Sequence, residues 1–228
     1  MYLGEMGMAV YLNSYRPLVI TAFGVAAAAR HKIPPFVDGS IRREPDLAHE
    51  FPSISCVCRG DKFAPRLAVG DIVGYMTVKH RFGDRGKSHR RLTAILEVIQ
   101  RFESHEAAAQ WYRVQGKPLP SNCLVDGNPP LDMEFSHKDP CDPDYRGVND
   151  PQQCWDDKYW LRTTENGTFL VCKALYRELG WLSPQLADED LVAAFGRVPP
   201  SRNPGEISRD SFNKLLALLR VPVQLSGQ

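Results

Sequence analysis

Residues 63–102, FAPRLAVGDIVGYMTVKHRFGDRGKSHRRLTAILEVIQRF, decide how the rest of this chain is read. Two runs rich in β-branched and aromatic residues, 71–78 and 92–99, flank a polar loop. Val, Ile, Tyr and Thr suit a pleated, half-buried surface, so the pattern predicts an antiparallel strand pair. The connecting loop carries Lys79, His80, Arg81, Arg85, Lys87, His89, Arg90 and Arg91 and is strongly basic. Gly70-Asp71 punctuates the start of the first strand, because Gly takes positive φ at a turn and Asp bonds nearby amides. The pair reads as a scaffold for binding a polyanion.

Charge is distributed unevenly around this stretch. The 228 residues sum to only +1, yet residues 1–120 hold 17 Lys+Arg against 11 Asp+Glu, and residues 121–228 hold 11 against 16. The first half is the one suited to phosphate. A 43% hydrophobic content is enough for a real core. The apolar run 18–29 lacks a basic n-region and is too short to span a bilayer. The expectation is a soluble cytoplasmic protein whose six Cys stay reduced.

Upstream, residues 16–24 (RPLVITAFG) read as a first strand and the alanine-rich 25–30 as a short helix. Residues 31–52 form a long irregular segment with four prolines, an Asp38-Gly39 turn and the Arg42-Arg43 pair; loops of this length are commonly functional. Residues 53–59 (SISCVCR) alternate as a second strand. Downstream, Ser104 as N-cap and Gly116 as C-cap bound a helix, followed by an extended segment over 117–125. Residues 126–157 are an Asp- and Pro-rich excursion. Runs 158–164 and 168–173 read as a hairpin turning at Asn166-Gly167, and three helices, 174–179, 187–195 and 208–219, close the chain.

The ordered set Cys58, Arg59, Lys62, Arg66, Ala68, Gly70 and Asp71, then Ala94, Val98 and Trp111-Tyr112, then Leu170, Val171, Tyr176 and Gly180 resembles the PUA-like superfamily. It is most similar to the nucleotide modification associated domain families, relatives of EVE, ASCH and YTH modules. The resemblance spans residues 16–181. It implies an α+β fold, a small mixed β-barrel flanked by helices, over residues 1–181; the C-terminal helices, which it does not cover, are expected to form a helical extension, 182–228, packed on that domain. It also implies a module that takes one modified base from nucleic acid, DNA rather than RNA, in the context of DNA modification or defence against modified DNA. A base read for its modification leaves its stack and is held by aromatic faces and edge hydrogen bonds.

On that basis the base-pocket candidates are Asp38, Ser55, Tyr75, Thr77, Trp111 and Tyr112. Tyr75 and Thr77 share one strand face, either the pocket or the exterior, and Trp111 is either core or stacking platform. Backbone contacts fall to Arg42, Arg43, Arg59, Lys62, Arg81, Arg85, Lys87, Arg90 and Arg91, whose bland alternative is a solvated rim.

Two rival constellations stand beside these. Cys56, Cys58, His137, Cys141 and Cys154 suggest a zinc staple, but no C-x-x-C occurs, so small buried thiols are the better reading and no metal or cofactor is expected. His80, His89 and His105 with Asp71, Asp84 and Glu103 offer the minimum for acid–base chemistry, and Cys58 a nucleophile without an identifiable base. A hydrolase acting on modified nucleotides or nucleosides is therefore the alternative function, and a protein-interaction module using the C-terminal helices a third. No P-loop, G-x-S-x-G, H-E-x-x-H or dinucleotide fingerprint is present.

Overall fold

The structure is a computed structural model that describes residues 8–83, 86–201 and 203–225. Its strands are β1 (Val10–Tyr15), β2 (Ser53–Ser55), β3 (Ile72–Thr77), β4 (Arg90–Phe102), β5 (Phe169–Arg177), β6 (Gln185–Leu186) and β7 (Glu206–Ile207). Its α-helices are α1 (Ala22–His31), α2 (His105–Val114), α3 (Pro151–Glu165), α4 (Asp188–Phe195) and α5 (Arg209–Leu218). The basic stretch forms the antiparallel pair its composition predicts, β3 against β4, in register from Ile72↔Glu97 to Met76↔Leu92 with one irregularity between Tyr75 and Met76.

The seven strands make one mixed sheet in the order β2-β5-β4-β3-β1-β7, with β6 paired to β4. β1 runs parallel to β3, and the remaining pairs are antiparallel. The α+β class holds, but the expected barrel does not: the sheet is not closed. Closure needs tilted strands long enough to keep a consistent stagger around the ring. At the ends of this sheet stand β2, three residues long and laddered to β5, and β7, two residues long and laddered to β1.

Period-two alternation sorts β3 between two cores. Val73 and Tyr75 join Tyr15, Leu18, Val37, Ile54, Phe63, Leu96 and Leu170 on one face. Ile72 and Met76 join Leu12, Ile95, Leu191, Phe212, Leu215 and Leu216 on the other, beneath α4 and α5. Gly74 lets α5 approach this closely, since a Cβ there would lie 2.7 Å from Cζ of Phe212. Residues after 182 thus supply two strands to the sheet and much of one core.

Several local expectations shift. The first strand lies at 10–15, while 16–24 turns through Leu18–Ile20 into α1, whose first turn is capped by Thr21 accepting from the Gly24 amide at 3.1 Å. Residues 158–164 belong to α3, begun by Asp150 accepting from the Gln153 amide at 2.9 Å with Pro151 in the first turn. Gly167 serves a close approach and not a hairpin turn: a Cβ there would sit 2.5 Å from the Glu103 carbonyl. Residues 174–177 continue β5, because their partners on β4 hold them through two register shifts. Among the described residues no helix is long and apolar enough to cross a membrane.

Candidate functional site

A cavity of about 1280 Å³ opens where the ends of β1 and β3, the loop before β2 and one face of α3 converge. The loop wall is ordered: residues 36–47 are all buried. Arg42 ties it to α3 through Asp156, at 2.6 Å from Nε and 2.7 Å from Nη2, and to the 126–150 excursion through the Asn128 carbonyl at 2.8 Å. Arg43 donates to the Asp38 carbonyl and, at 2.6 Å, to the Phe135 carbonyl. Asp46 accepts from the Ser121 amide at 2.9 Å. Gly39 is needed where His137 crosses the loop, since a Cβ would fall 1.9 Å from the imidazole Nδ1. Among the described residues that buried Nδ1 has no hydrogen-bond partner.

Polarity changes with depth. The buried lining holds Asn13, Asp38, Ser40, Glu44, Ser55 and Tyr75, whereas the cations Arg16, Arg59, Lys62, Lys138 and Arg162 are exposed or half-exposed. Aromatic walls come from Phe63, Tyr75, Trp155 and Tyr159. Asp38 accepts from the amide and hydroxyl of Ser40 at 2.8 and 2.5 Å. Glu44 accepts from the Ser55 amide at 3.0 Å, the Ser55 hydroxyl at 2.7 Å and Asn122 at 2.6 Å.

Burial outweighs these bonds at both carboxyl groups. Asp38 is raised to about 6, with Ser40 and the charge of Arg43 pulling the other way. Glu44 is raised to about 8, the Asp38 charge adding to the effect of burial. Cys58 lines the same cavity and is exposed to solvent there; the surrounding protein and the charges of Asp38 and Glu44 raise its thiol above the ordinary value.

Of the residues singled out from sequence, Asp38, Ser55, Tyr75, Arg59 and Lys62 line this cavity. Thr77 lies outside it, buried and accepting from the Arg91 amide at 3.0 Å. Trp111 and Tyr112 pack with Phe51, Phe169 and Val171 in a separate cluster, and the Tyr112 hydroxyl donates to the Phe51 carbonyl at 3.0 Å. Arg42 and Arg43 are sealed in the loop wall and cannot reach a phosphate. Arg91 is buried too, donating to the carbonyls of Trp181 and Ser183 at 3.0 and 2.7 Å and lying against the rings of Phe36 and Trp181. Arg90 and Lys79 both engage Asp188 at the start of α4. Arg81 and Lys87 are exposed on the hairpin loop, outside the cavity lining, and Arg85 lies outside the described residues.

Among the described residues the acid–base constellation does not assemble, and Asp84 lies outside them. His80 and His89 flank Phe82. His105 accepts from the Leu124 amide at 3.0 Å, and burial lowers its pKa to about 4. Asp71 accepts from the amides of Ala9 and Ala68. Among the described residues no group of three His, Cys, Asp or Glu is placed to hold a metal ion.

Glu44, Asn13, Ser40, Arg16, Lys138, Trp155, Tyr159 and Arg162 also line the cavity, none of them a site candidate on sequence alone. A signal existed for three of them: Trp155, Tyr159 and Arg162 fall at helical spacing and share one face of α3. Comparison with protein-family models, with curated proteins and with solved structures finds no match to this chain.

Proposed function

We propose that this protein is a nucleic-acid-binding module that seats a single modified nucleobase in the cavity between β1, β3 and α3. The observation that carries the reading is the cavity's graded lining, with buried hydrogen-bonding groups and aromatic walls inside and five cations toward solvent. Edge hydrogen bonds and ring faces hold an extruded base, while Arg16, Lys62 and Lys138 meet the flanking phosphates and Arg59 and Arg162, which also donate to the backbone carbonyls of Ser14, Ser201 and Val57, frame the mouth. The sheet is then an open variant of the PUA-like architecture. The ligand is DNA before RNA, in a pathway of DNA modification or defence against modified DNA. A cytoplasmic setting fits the six free cysteines.

Fluorescence anisotropy against modified, plain and abasic oligonucleotides at low salt tests this. Tighter binding of a modified oligonucleotide is the expected result. Equal binding of all three leaves a generic phosphate binder, and no binding removes the proposal.

A second reading, hydrolysis of modified nucleotides, is favoured by the two carboxyl groups of raised pKa in the same cavity. Mass spectrometry of modified nucleosides incubated with the protein and with Glu44→Gln separates the two: product formed by the wild type and lost in the variant would make it an enzyme.

A further inference from the structure

Resting on the proposed seating of a base, the size and the lining of the cavity bear on what that base carries. At about 1280 Å³ the cavity exceeds the roughly 300–1,000 Å³ of pockets that bury whole drug-sized ligands. A nucleobase alone is smaller than such a ligand, and proteins that read an extruded base hold it snugly. Much of the space is therefore left for a substituent. Ligand pockets are lined mainly by apolar side chains with a few polar groups among them. Here the balance is reversed. Among the described residues Pro45 is the one aliphatic side chain buried in the lining, whereas Asn13, Asp38, Ser40, Glu44, Ser55 and Tyr75 are all buried there. Both hydrogen-bonding roles are present. The Tyr75 and Tyr159 hydroxyls and the Asn13 amide can donate, the Asp38 carboxylate accepts, and Glu44, which keeps its proton up to about 8, can donate as well.

We infer that the modification is a bulky, uncharged, polyhydroxylated substituent of the glycosyl class, buried together with its base in this cavity. Each sugar hydroxyl both donates and accepts, which matches a wall that offers both roles. The C–H faces of a sugar ring, slightly positive, pack on the negative faces of aromatic rings, and Phe63, Tyr75 and Tyr159 bring such rings to the lining. A methyl group matches this wall poorly, since it covers polar groups without bonding to them. A cationic substituent would pass Arg16, Lys62 and Lys138 on its way in, and an anionic one would meet the Asp38 carboxylate.

The test is fluorescence anisotropy, on the full chain, with otherwise identical single-stranded oligonucleotides that differ at one central position. That position carries cytosine, its 5-methyl, 5-hydroxymethyl, glucosylated 5-hydroxymethyl or 5-aminoalkyl form, or an abasic site. The matching uracil series is run beside it, because a wall of donors and acceptors admits either base edge. In one series or both, the glucosylated base should bind at least about tenfold tighter than the methyl and hydroxymethyl forms, the return on two or three ordinary hydrogen bonds. Tyr75→Phe, and separately Tyr159→Phe, each of which removes only a hydroxyl, should narrow that ratio. Two variants guard against one that fails to fold. The inference is overturned if the methylated or aminoalkyl base binds as tightly as the glucosylated one in both series, or if the ratio is unchanged in the folded variants. Seating of a base survives those results as long as the abasic strand binds more weakly. An abasic strand binding as tightly as the others sinks the seating itself, and the inference with it.

Discussion

Arg42 and Asp156, 114 positions apart in the chain, meet through two parallel hydrogen bonds of 2.6 and 2.7 Å with both side chains nearly sealed from solvent. This bidentate pair joins the loop that carries Asp38 and Glu44 to the helix that carries Trp155 and Tyr159, so it fixes the spacing of two cavity walls. Removing one partner strands a buried charge. Arg42→Ala should therefore destabilise the protein by about 3–5 kcal/mol. Urea denaturation monitored by tryptophan fluorescence measures this, and a loss under about 1 kcal/mol would contradict a sealed pair.

Glu44 sets the direction of the pH dependence above neutrality. Unfolded, its carboxyl titrates near 4.5; folded, it keeps its proton up to about 8. The native state then binds more protons than the unfolded chain across that window, so stability falls as pH rises through it. Asp38 adds the same sign between 3.8 and about 6. His105 and His137 act oppositely, their folded values lowered from 6.5 to about 4 and about 3, so their contribution is lost only as pH falls below 6.5. Between pH 6.5 and 8 Glu44 stands alone among these four. Wild type should lose about 1–2 kcal/mol over that interval and Glu44→Gln should not. Parallel Tm profiles for the two proteins would refute the assignment.

Gly39 is the point where the loop tolerates no side chain. Its missing Cβ would lie 1.9 Å from Nδ1 of His137 and 2.9 Å from the Pro17 carbonyl. Gly39→Ala should cost about 1–3 kcal/mol, as overpacking does. Adding His137→Ala removes the nearer obstacle, so the double variant should recover part of the loss; thermal unfolding of the three variants gives the comparison.

Nucleic-acid affinity should follow the cations of the cavity lining, not those of the hairpin. Lys62→Glu and Lys138→Glu should each weaken binding and reduce the salt slope by about 1. Arg81→Glu and Lys87→Glu, both at exposed positions outside the lining, should change little. Titrations at several salt concentrations distinguish the two sets, and the reverse ranking would move the interface to the hairpin.

The local grammar was readable where its signals act within a few residues. Ser104 caps α2 by accepting from the Ala107 amide at 3.1 Å, Gly196 ends α4 at a φ of 72°, and Ser208 caps α5. Five cavity residues, Asp38, Ser55, Tyr75, Arg59 and Lys62, were legible as site candidates. Tyr159 and Arg162 were hidden by reading 158–164 as a strand: the aromatic and β-branched content there matches strand propensity, and the Asp150 cap that starts the helix lies outside that run.

By itself, then, the amino-acid order determined the β3–β4 pair, the helix termini and the concentration of positive charge in the first half of the chain. Only the tertiary structure decided which of those charges meets solvent. Arg42, Arg43 and Arg91 are as basic as Lys87, yet the first three are consumed by Asp156 and by carbonyls of Phe135 and Ser183, while Lys87 remains exposed. Charge belongs to the residue, but its availability depends on partners that folding brings from 90 or more positions away.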